Sequence, residues 1–465
     1  MEGGYRQTWQ TSPTGRGRAP RVCFMKRLAA AVLLIASGAF AQNTDIEALA
    51  GLQFNFGNPG ARSLGMGGAF IGLADDASAA EANPAGLTIL RKPEASIEMR
   101  QTSIAQRFVT GGTFPFVTRE DFASRRKDVS FASVVMPTSE GVLAFYYHRP
   151  LAFRSAVDLT SRYSTPVFYM GPDGPVSRDA CLADPSCQEH QIYPFSTSVD
   201  LSMETYGVAL AHEWGRVSAG AAVRYHRFSE LARTMRRDLD APDQPMFIVE
   251  QTNGGRTLGE SSDKDMTFVG GIRWQLSKKV SLGAVYKDGA KFPAPVSAAS
   301  ASSGMSVIGV TEFHVPAAYG VGTSFRPIPS LTINADAMRV EYSHLTDNFL
   351  SVIEYGSGGG GIETLQGYRA KDGTELHAGL EYFVLAKVPV AIRTGWWHDP
   401  AHSIRYDAPL VTKHDVAAQI LFPRGDDEDH YSVGLGLAFP RFQIDAAYDH
   451  SLSLKTASLS FIARY

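Results

Sequence analysis

Tyr431-Ser432-Val433-Gly434-Leu435-Gly436-Leu437-Ala438-Phe439 alternates large apolar side chains with small or polar ones. After Pro440-Arg441 the stretch Phe442-Gln443-Ile444-Asp445-Ala446-Ala447-Tyr448-Asp449 does the same. Successive side chains of a strand point to opposite faces, so each run carries one apolar face and one small or polar face. Two such runs joined by a short turn read as a β-hairpin. The end of the chain repeats the pattern, with Ala457, Leu459, Phe461, Ala463 and Tyr465 against Ser458, Ser460 and Arg464. In a soluble sandwich the apolar face lines a core; in a barrel embedded in lipid it points outward and the polar face lines the interior. Periodicity does not separate these cases, but the spacing of the connections does.

Working outward from this hairpin, the same reading places strands at 94–102, 128–137, 141–148, 203–213, 216–229, 265–275, 279–288, 313–325, 330–342, 374–384, 388–398, 430–438, 442–450 and 456–465, fourteen in all. Their connections alternate between long and short, except that the last, 451–455, is also short. Short ones include Pro137–Gly141, Trp214-Gly215, Leu276–Lys278, Arg326–Pro329 and Pro440-Arg441; long ones include 149–202, 230–264, 289–312, 343–373 and 399–429. An even number of strands with short turns at one end and long loops at the other predicts an all-β, transmembrane antiparallel β-barrel. Strands of about ten residues suit a tilted crossing. Both chain ends are expected on the short-turn, periplasmic side. Aromatics near strand ends (Tyr146-Tyr147, Trp274, Tyr286, Trp396-Trp397) predict interface girdles.

The first 41 residues stand apart. Met25-Lys26-Arg27, an apolar run over Leu28–Ala36 and the A-x-A pattern Ala39-Phe40-Ala41 have the anatomy of a secretory signal peptide. Residues 1–24 read as an upstream extension, and the mature chain is expected to begin near Gln42. The segment 1–41 holds six of the 44 Lys and Arg residues and one of the 47 acids, leaving 38 against 46 and a net charge of −8. An acidic chain argues against nucleic acid as a partner. Beyond the leader no apolar run reaches 18 residues, so no transmembrane helix is expected. Cys23 belongs to the leader, which leaves Cys181 and Cys187 in one long loop. In an exported chain these are expected to form a loop disulfide. A metal site is the weaker alternative, since no second His or Cys pair stands nearby at zinc spacing.

Residues 42–93 lack the strand pattern. They contain Gly60-Ala61-Arg62-Ser63-Leu64-Gly65-Met66-Gly67-Gly68-Ala69-Phe70, then Ala74-Asp75-Asp76-Ala77-Ser78, then Asn83-Pro84-Ala85-Gly86-Leu87. The glycine-rich part has no Gly-Lys-Ser/Thr ending and opens no α/β unit, so it is no phosphate loop. A segment of this kind ahead of a barrel suggests a plug. Its order of motifs resembles the N-terminal hatch of the FadL-type outer-membrane channels. The resemblance continues in Val315–Gly322, Glu375–Tyr382, Arg393–Pro400 and Tyr431–Gly436, and so covers nearly the whole mature chain.

That resemblance implies a fourteen-stranded barrel over 94–465 with a hatch over 42–93, and transport of long-chain fatty acids or aromatic hydrocarbons. It implies that Asn83, Pro84 and Ala85 lie beside the barrel wall and govern substrate passage. The residues themselves are compatible: Pro84 fixes its φ and biases Asn83 away from helix, and the Asn83 amide can bond nearby backbone. It also implies a kinked third strand with a lateral opening toward lipid. Within 142–148 no Gly or Pro interrupts the run; Gly141 precedes it and Pro150 follows. Two loops carry apolar clusters, Met246, Phe247 and Ile248 in one and Phe292, Val307 and Ile308 in the other. Such clusters mark a binding surface or loop–loop packing, and the resemblance places a surface groove for hydrophobic substrate there. The C-terminal strand ending at Tyr465 resembles the signal read by the barrel assembly machinery.

Alternation puts Arg224, Arg273, Lys287, Asp336, Glu375, Glu381, Arg393, Asp445 and Arg464 on the lumen side. Both signs occur, which predicts internal ion pairs that brace the barrel and seat the hatch. Arg393 is the candidate for binding a substrate carboxylate through a two-point contact. Asp75-Asp76 lacks a partner for catalysis, and no Gly-x-Ser-x-Gly element accompanies an Asp and His set. The chain is therefore expected to be no enzyme and to need no cofactor. The reading that follows is a monomeric channel of the cell outer membrane for passive uptake of hydrophobic small molecules, in contact with lipid and lipopolysaccharide. A scaffold or shuttle barrel of a secretion system, and a general porin, are the alternatives.

Overall fold

Fourteen strands close into one antiparallel barrel among the described residues. They are β1 (Glu94–Thr113), β2 (Phe116–Pro137), β3 (Val142–Asp158), β4 (Phe195–Trp214), β5 (Val217–Arg237), β6 (Lys264–Gln275), β7 (Val280–Lys287), β8 (Ala318–Ile328), β9 (Leu331–Val340), β10 (Gly373–Val384), β11 (Val390–Asp399), β12 (Glu428–Ala438), β13 (Phe442–His450) and β14 (Leu454–Arg464). Each pairs with the next, and β1 returns to β14, with Glu94 opposite Arg464 and Ile104 opposite Leu454. The computed structural model describes residues 43–44, 50–51, 53–159, 167–191, 195–237, 245–253, 264–300, 304, 306–347, 350–355, 359–364 and 366–465. The expected leader, 1–41, lies outside the described residues.

Polarity is sorted in the reverse of a soluble core. Val433 and Leu435 are each 59% exposed, whereas their neighbours Ser432 and Asp445 on the inward face are 1% and 0% exposed. The outward face of nearly every strand shows Leu, Val, Ile, Phe or Tyr, with Trp214, Trp274, Phe325 and Tyr382 toward the short turns. Water penalises such a surface; lipid does not, and closure leaves no strand edge to satisfy.

Backbone pairing continues well past the strand limits expected from apolar alternation. β1 and β2 run on together as far as Thr113 opposite Phe116. The outward series on β2 changes from Val134 to Lys127 and Arg125, so the amphipathic signal ends while the hydrogen bonding does not. The connections 230–264 and 289–312 likewise hold strands. Pro245–Asn253 pairs with both β5 and Ala290–Ser300, which pairs in turn with Ser306–Val315. The strand expected over 313–325 is divided at Pro316, which has no N–H to donate, and β8 begins at Ala318.

One expected position is corrected. Asn43-Thr44 pairs with Ile353-Glu354 in the long connection after β9, so the described N-terminal end stands at the long-loop mouth. The C-terminus does lie at the short-turn end, where the Tyr465 N–H donates to the Pro93 carbonyl at 3.1 Å. The chain then threads from the long-loop mouth through residues 53–58 into the lumen. There it folds as two single-turn helices, Ala61–Leu64 and Ala79–Ala82, and a 3-10 turn over Pro84–Ile89. In the connection between β3 and β4, Cys181 and Cys187 are joined by a disulfide with their Cα atoms 5.1 Å apart.

Candidate functional site

The hatch is held to the wall by buried charge. Arg62 donates from Nε and Nη2 to the two oxygens of Glu381 on β10, each at 2.8 Å, and from Nη1 to Asp75 at 2.5 Å. Arg393 on β11 pairs with the same Glu381 at 2.7 Å and with Asp445 on β13 at 2.8 Å. Asp75 continues the chain to Arg326 at 2.8 Å. A second cluster centres on Glu81, which accepts from Tyr146 Oη at 2.9 Å and faces Arg224 at 3.3 Å and Lys287 at 3.6 Å. Burial alone pushes the Glu81 carboxyl up, but Arg224, Lys287 and His148 outweigh it and hold it down at about 2. Charges this deep persist only when paired.

Backbone is seated as closely as side chain. One oxygen of Asp336 on β9 accepts the N–H groups of Phe70 and Ile71 at 2.6 and 2.7 Å. His377 donates from Nδ1 to the Gly67 carbonyl at 2.7 Å. Asn83 donates to the Ile71 carbonyl at 2.9 Å and to the Ile272 carbonyl of β6 at 3.3 Å, and its Oδ1 accepts the Ala85 N–H at 3.2 Å. The last bond caps the turn that begins with Pro84.

A belt of wall glycines makes room for this contact. Gly220 opposes Gly271, Gly283 opposes Gly322, and Gly379 opposes Gly395 across neighbouring strands. A Cβ at Gly271 would stand 2.1 Å from Asn83 Oδ1, one at Gly283 2.2 Å from the Ile71 carbonyl oxygen, and one at Gly395 2.1 Å from Gly67 N. The hatch backbone thus lies directly on the barrel wall, an approach only glycine permits.

Above the hatch, toward the long loops, lies a cavity of about 520 Å³. Phe54, Ile104, Leu151, Phe153, Met338 and Trp397 supply its apolar lining, and Arg100, Arg126, Asp128, Arg149, Glu375 and His377 its polar lining. Phe54 meets Phe153 and Phe313 edge-on at 5.5 and 5.8 Å, and Phe313, Phe228 and Phe292 stack in series at 4.7 and 4.8 Å. A smaller, basic cavity of about 440 Å³ lies beneath the hatch among Arg216, Arg273, Lys278, Lys279 and Arg326.

The wall of the upper cavity is incomplete in backbone. β2 and β3 pair only from Pro137 opposite Val142 to Phe131 opposite His148. Beyond that β3 shifts register between His148 and Leu151, spanning Arg149-Pro150, and pairs with β4 alone up to Asp158. The third strand therefore does carry an interruption, at Pro150, inside a strand longer than the expected 141–148. Side chains bridge the seam instead. Arg149 pairs with Asp128 of β2 and, at 2.6 Å, with Glu204 of β4; Arg126 pairs with Asp128 at 2.8 Å and with Asp200 at 2.7 Å.

The sequence-derived candidates fall in different places. Asn83, Pro84 and Ala85 are buried against β5 and β6. Arg393 is corrected as a carboxylate receptor: its side chain is wholly buried and its charge is taken by Glu381 and Asp445. The loop groove is also corrected in membership. Phe292 is 0% exposed within the aromatic series, whereas Ile308 is 65% exposed, so the two do not share a surface. Val307 and Ile248 are half-buried, and the side chains of Met246 and Phe247 lie outside the described residues. Alternation did place the lumen charges correctly: Arg224, Lys287, Asp336, Glu375, Glu381 and Asp445 are all buried inside. Arg62 and the glycine belt were not singled out. A lone Arg in a small-residue run, and Gly at one depth of successive strands, were the available signals.

A closed membrane-type barrel carrying its own internal plug is the class that this geometry defines. Among solved structures, the chain is similar to a Pseudomonas aeruginosa FadL homologue, with a TM-score of 0.60 and 15% identity over 90% of this chain and 99% of that one. It is similar to the Pseudomonas putida toluene transporter TodX at 0.57 and 13%, covering 88% and 99%. It is similar to the Ralstonia pickettii toluene transporter TbuX at 0.56 and 15%, covering 88% and 99%. The fold is the FadL-type fold. No protein-family model matches the chain, and no curated protein sequence matches it.

Proposed function

We propose that this protein is an outer-membrane channel for passive uptake of hydrophobic compounds, long-chain fatty acids or aromatic hydrocarbons, with the hatch as its gate. The observation that carries the reading is an aromatic-lined cavity closed below by a seated plug and bounded on one side by a seam without backbone hydrogen bonds. Apolar cargo leaving water for that cavity gains about 25 cal/mol per Å² of surface removed. No energy source is needed where metabolism removes the product. The names of the TodX and TbuX neighbours, toluene transporters, support the same class of cargo. Asn83, Pro84 and Ala85 act as the moving part, because they join the hatch to β5 and β6. The C-terminal strand ending at Tyr465 serves as the recognition element for barrel assembly, and the chain works as a monomer without cofactor.

The test is uptake of a radiolabelled long-chain fatty acid and of toluene by a deletion strain. The strain is complemented with the native gene or with the Asn83→Ala, Pro84→Ala variant. Loss in the deletion, rescue by the native chain and impaired rescue by the variant are expected. Unchanged uptake of both cargoes in the deletion would sink the reading.

A further inference from the structure

On the outer surface, beyond the apolar band, three exposed cations stand together. Lys127 and Arg125 follow Val129 along the outward face of β2, and Lys455 lies beyond Leu459 and Ala457 on β14. Val129 is 39% and Leu459 52% exposed, so each cation sits one or two outward steps past the surface that lipid tails would cover. Register brings them together: Ser103 of β1 is opposite Arg125 on one side and Lys455 on the other. Adjacent strands lie about 4.8 Å apart, which puts the Arg125 and Lys455 backbones about 10 Å apart, within reach of one anion for two such long side chains. Lys127 is one outward step, about 7 Å, along the same strand. All three are exposed, and none is ion-paired among the described residues. The acid next along the β2 face, Asp121, is already held by Arg107 at 2.8 Å.

We infer that Arg125, Lys127 and Lys455 form a binding site on the barrel's exterior for the phosphorylated head group of an outer-leaflet glycolipid. The inference rests on the membrane location proposed above, and commits to a phosphate monoester for a reason of charge. A monoester carries close to two negative charges at neutral pH, against one for the diester of a phospholipid, and three converging cations match the former better. The apolar residues directly below would meet the acyl chains of the same molecule. Its role is to fix the barrel's depth and orientation on the side where β1 and β2 project beyond the bilayer.

The experiment uses the folded full-length mature barrel in nanodiscs of zwitterionic phospholipid. The probes are bisphosphoryl lipid A, its dephosphorylated form and phosphatidylglycerol. The Arg125→Gln, Lys127→Gln, Lys455→Gln triple variant is compared with a Lys278→Gln, Lys279→Gln control at the opposite rim, folding being checked by heat-modifiable gel mobility. Native chain and control should bind bisphosphoryl lipid A at least about tenfold more tightly than the triple variant, a difference of about 1.4 kcal/mol. Dephosphorylated lipid and phosphatidylglycerol should bind the native chain and triple variant alike, and weakly. Equal lipid A affinity in the triple variant, an equal loss in the control, or phosphatidylglycerol binding as tightly as lipid A would each overturn the assignment. Cargo uptake by the triple variant, expected at the native rate, separates this result from failure of the channel reading, because none of its three residues lines the lumen cavities.

Discussion

Arg62 and Glu381 meet as a two-pronged ion pair, both bonds 2.8 Å long, joining the plug to the wall of the barrel that encloses it. Glu381 is in turn shared with Arg393, so one buried carboxylate serves a hatch cation and a wall cation together. Removing Arg62 leaves the pairs Glu381–Arg393 and Asp75–Arg326 intact but strands half of the buried Glu381 charge. Arg62→Ala should loosen the hatch by about 3–5 kcal/mol, the cost of breaking a buried pair. Single-channel conductance in planar bilayers should rise, while Arg62→Lys, keeping the charge but not the fork, should fall between. Native conductance in Arg62→Ala would remove this pair from the gate.

Gly271 tests backbone contact separately from charge. A methyl group there would fall 2.1 Å from Asn83 Oδ1 and would force the Asn83-Pro84 turn off β6. Gly271→Ala should cost about 1–3 kcal/mol of seating through overpacking. The barrel should still show heat-modifiable mobility, while a cysteine placed in the hatch becomes reactive to a bulky thiol reagent. If the cysteine stays protected, the belt is not what positions the hatch.

Acid should unseat the plug. The seated Glu81 carboxyl titrates at about 2, below the ordinary 4.5, because the surrounding cations outweigh its burial. A depressed carboxyl value favours the seated state above about 4.5, and that contribution is lost as pH falls toward 2. Conductance measured between pH 6 and pH 2.5 should therefore rise reversibly, starting below about 4.5. Glu81→Gln should flatten the profile; an identical profile in that variant would assign the effect elsewhere.

The seam between β2 and β3 makes a prediction about route. Arg149 ties Asp128 to Glu204 where the backbones of β2 and β3 no longer pair. Arg149→Ala should widen the gap and raise the initial uptake rate of apolar cargo by a few-fold, with little change for small sugars. A rate unchanged from native would place the path through the hatch alone.

Much of the architecture was legible from local pattern. Strand positions and the alternation of short turns with long connections follow from period-two polarity, which each strand carries in its own residues. So does the inward placement of Asp336, Glu381 and Asp445. What failed to show was structure lying beyond the lipid band. There, outward residues such as Arg125 and Lys127 are as polar as inward ones, and pairing continues without an amphipathic signal. The third strand is the clearest case: Pro150 looked like its end and is instead the bulge within it.

The plug itself was legible as a kind of segment, small and rich in glycine, but its seat was not. Asn83 bonds Ile71 and Ala85 in the chain around it, but its partner on the wall, the Ile272 carbonyl, lies 189 residues away. Arg393 stands out in the sequence as a candidate for a substrate carboxylate because sequence shows the face a side chain takes and not what else occupies that face. Which strands lie in lipid, and which way each residue points, are consequences of nearest neighbours along the chain, and the sequence alone determined them. Which lumen charges are already spent, where the wall parts, and how the hatch rests on a ring of glycines depend on strands far apart in sequence meeting at one depth. Only closure of the barrel around its own N-terminus decided those.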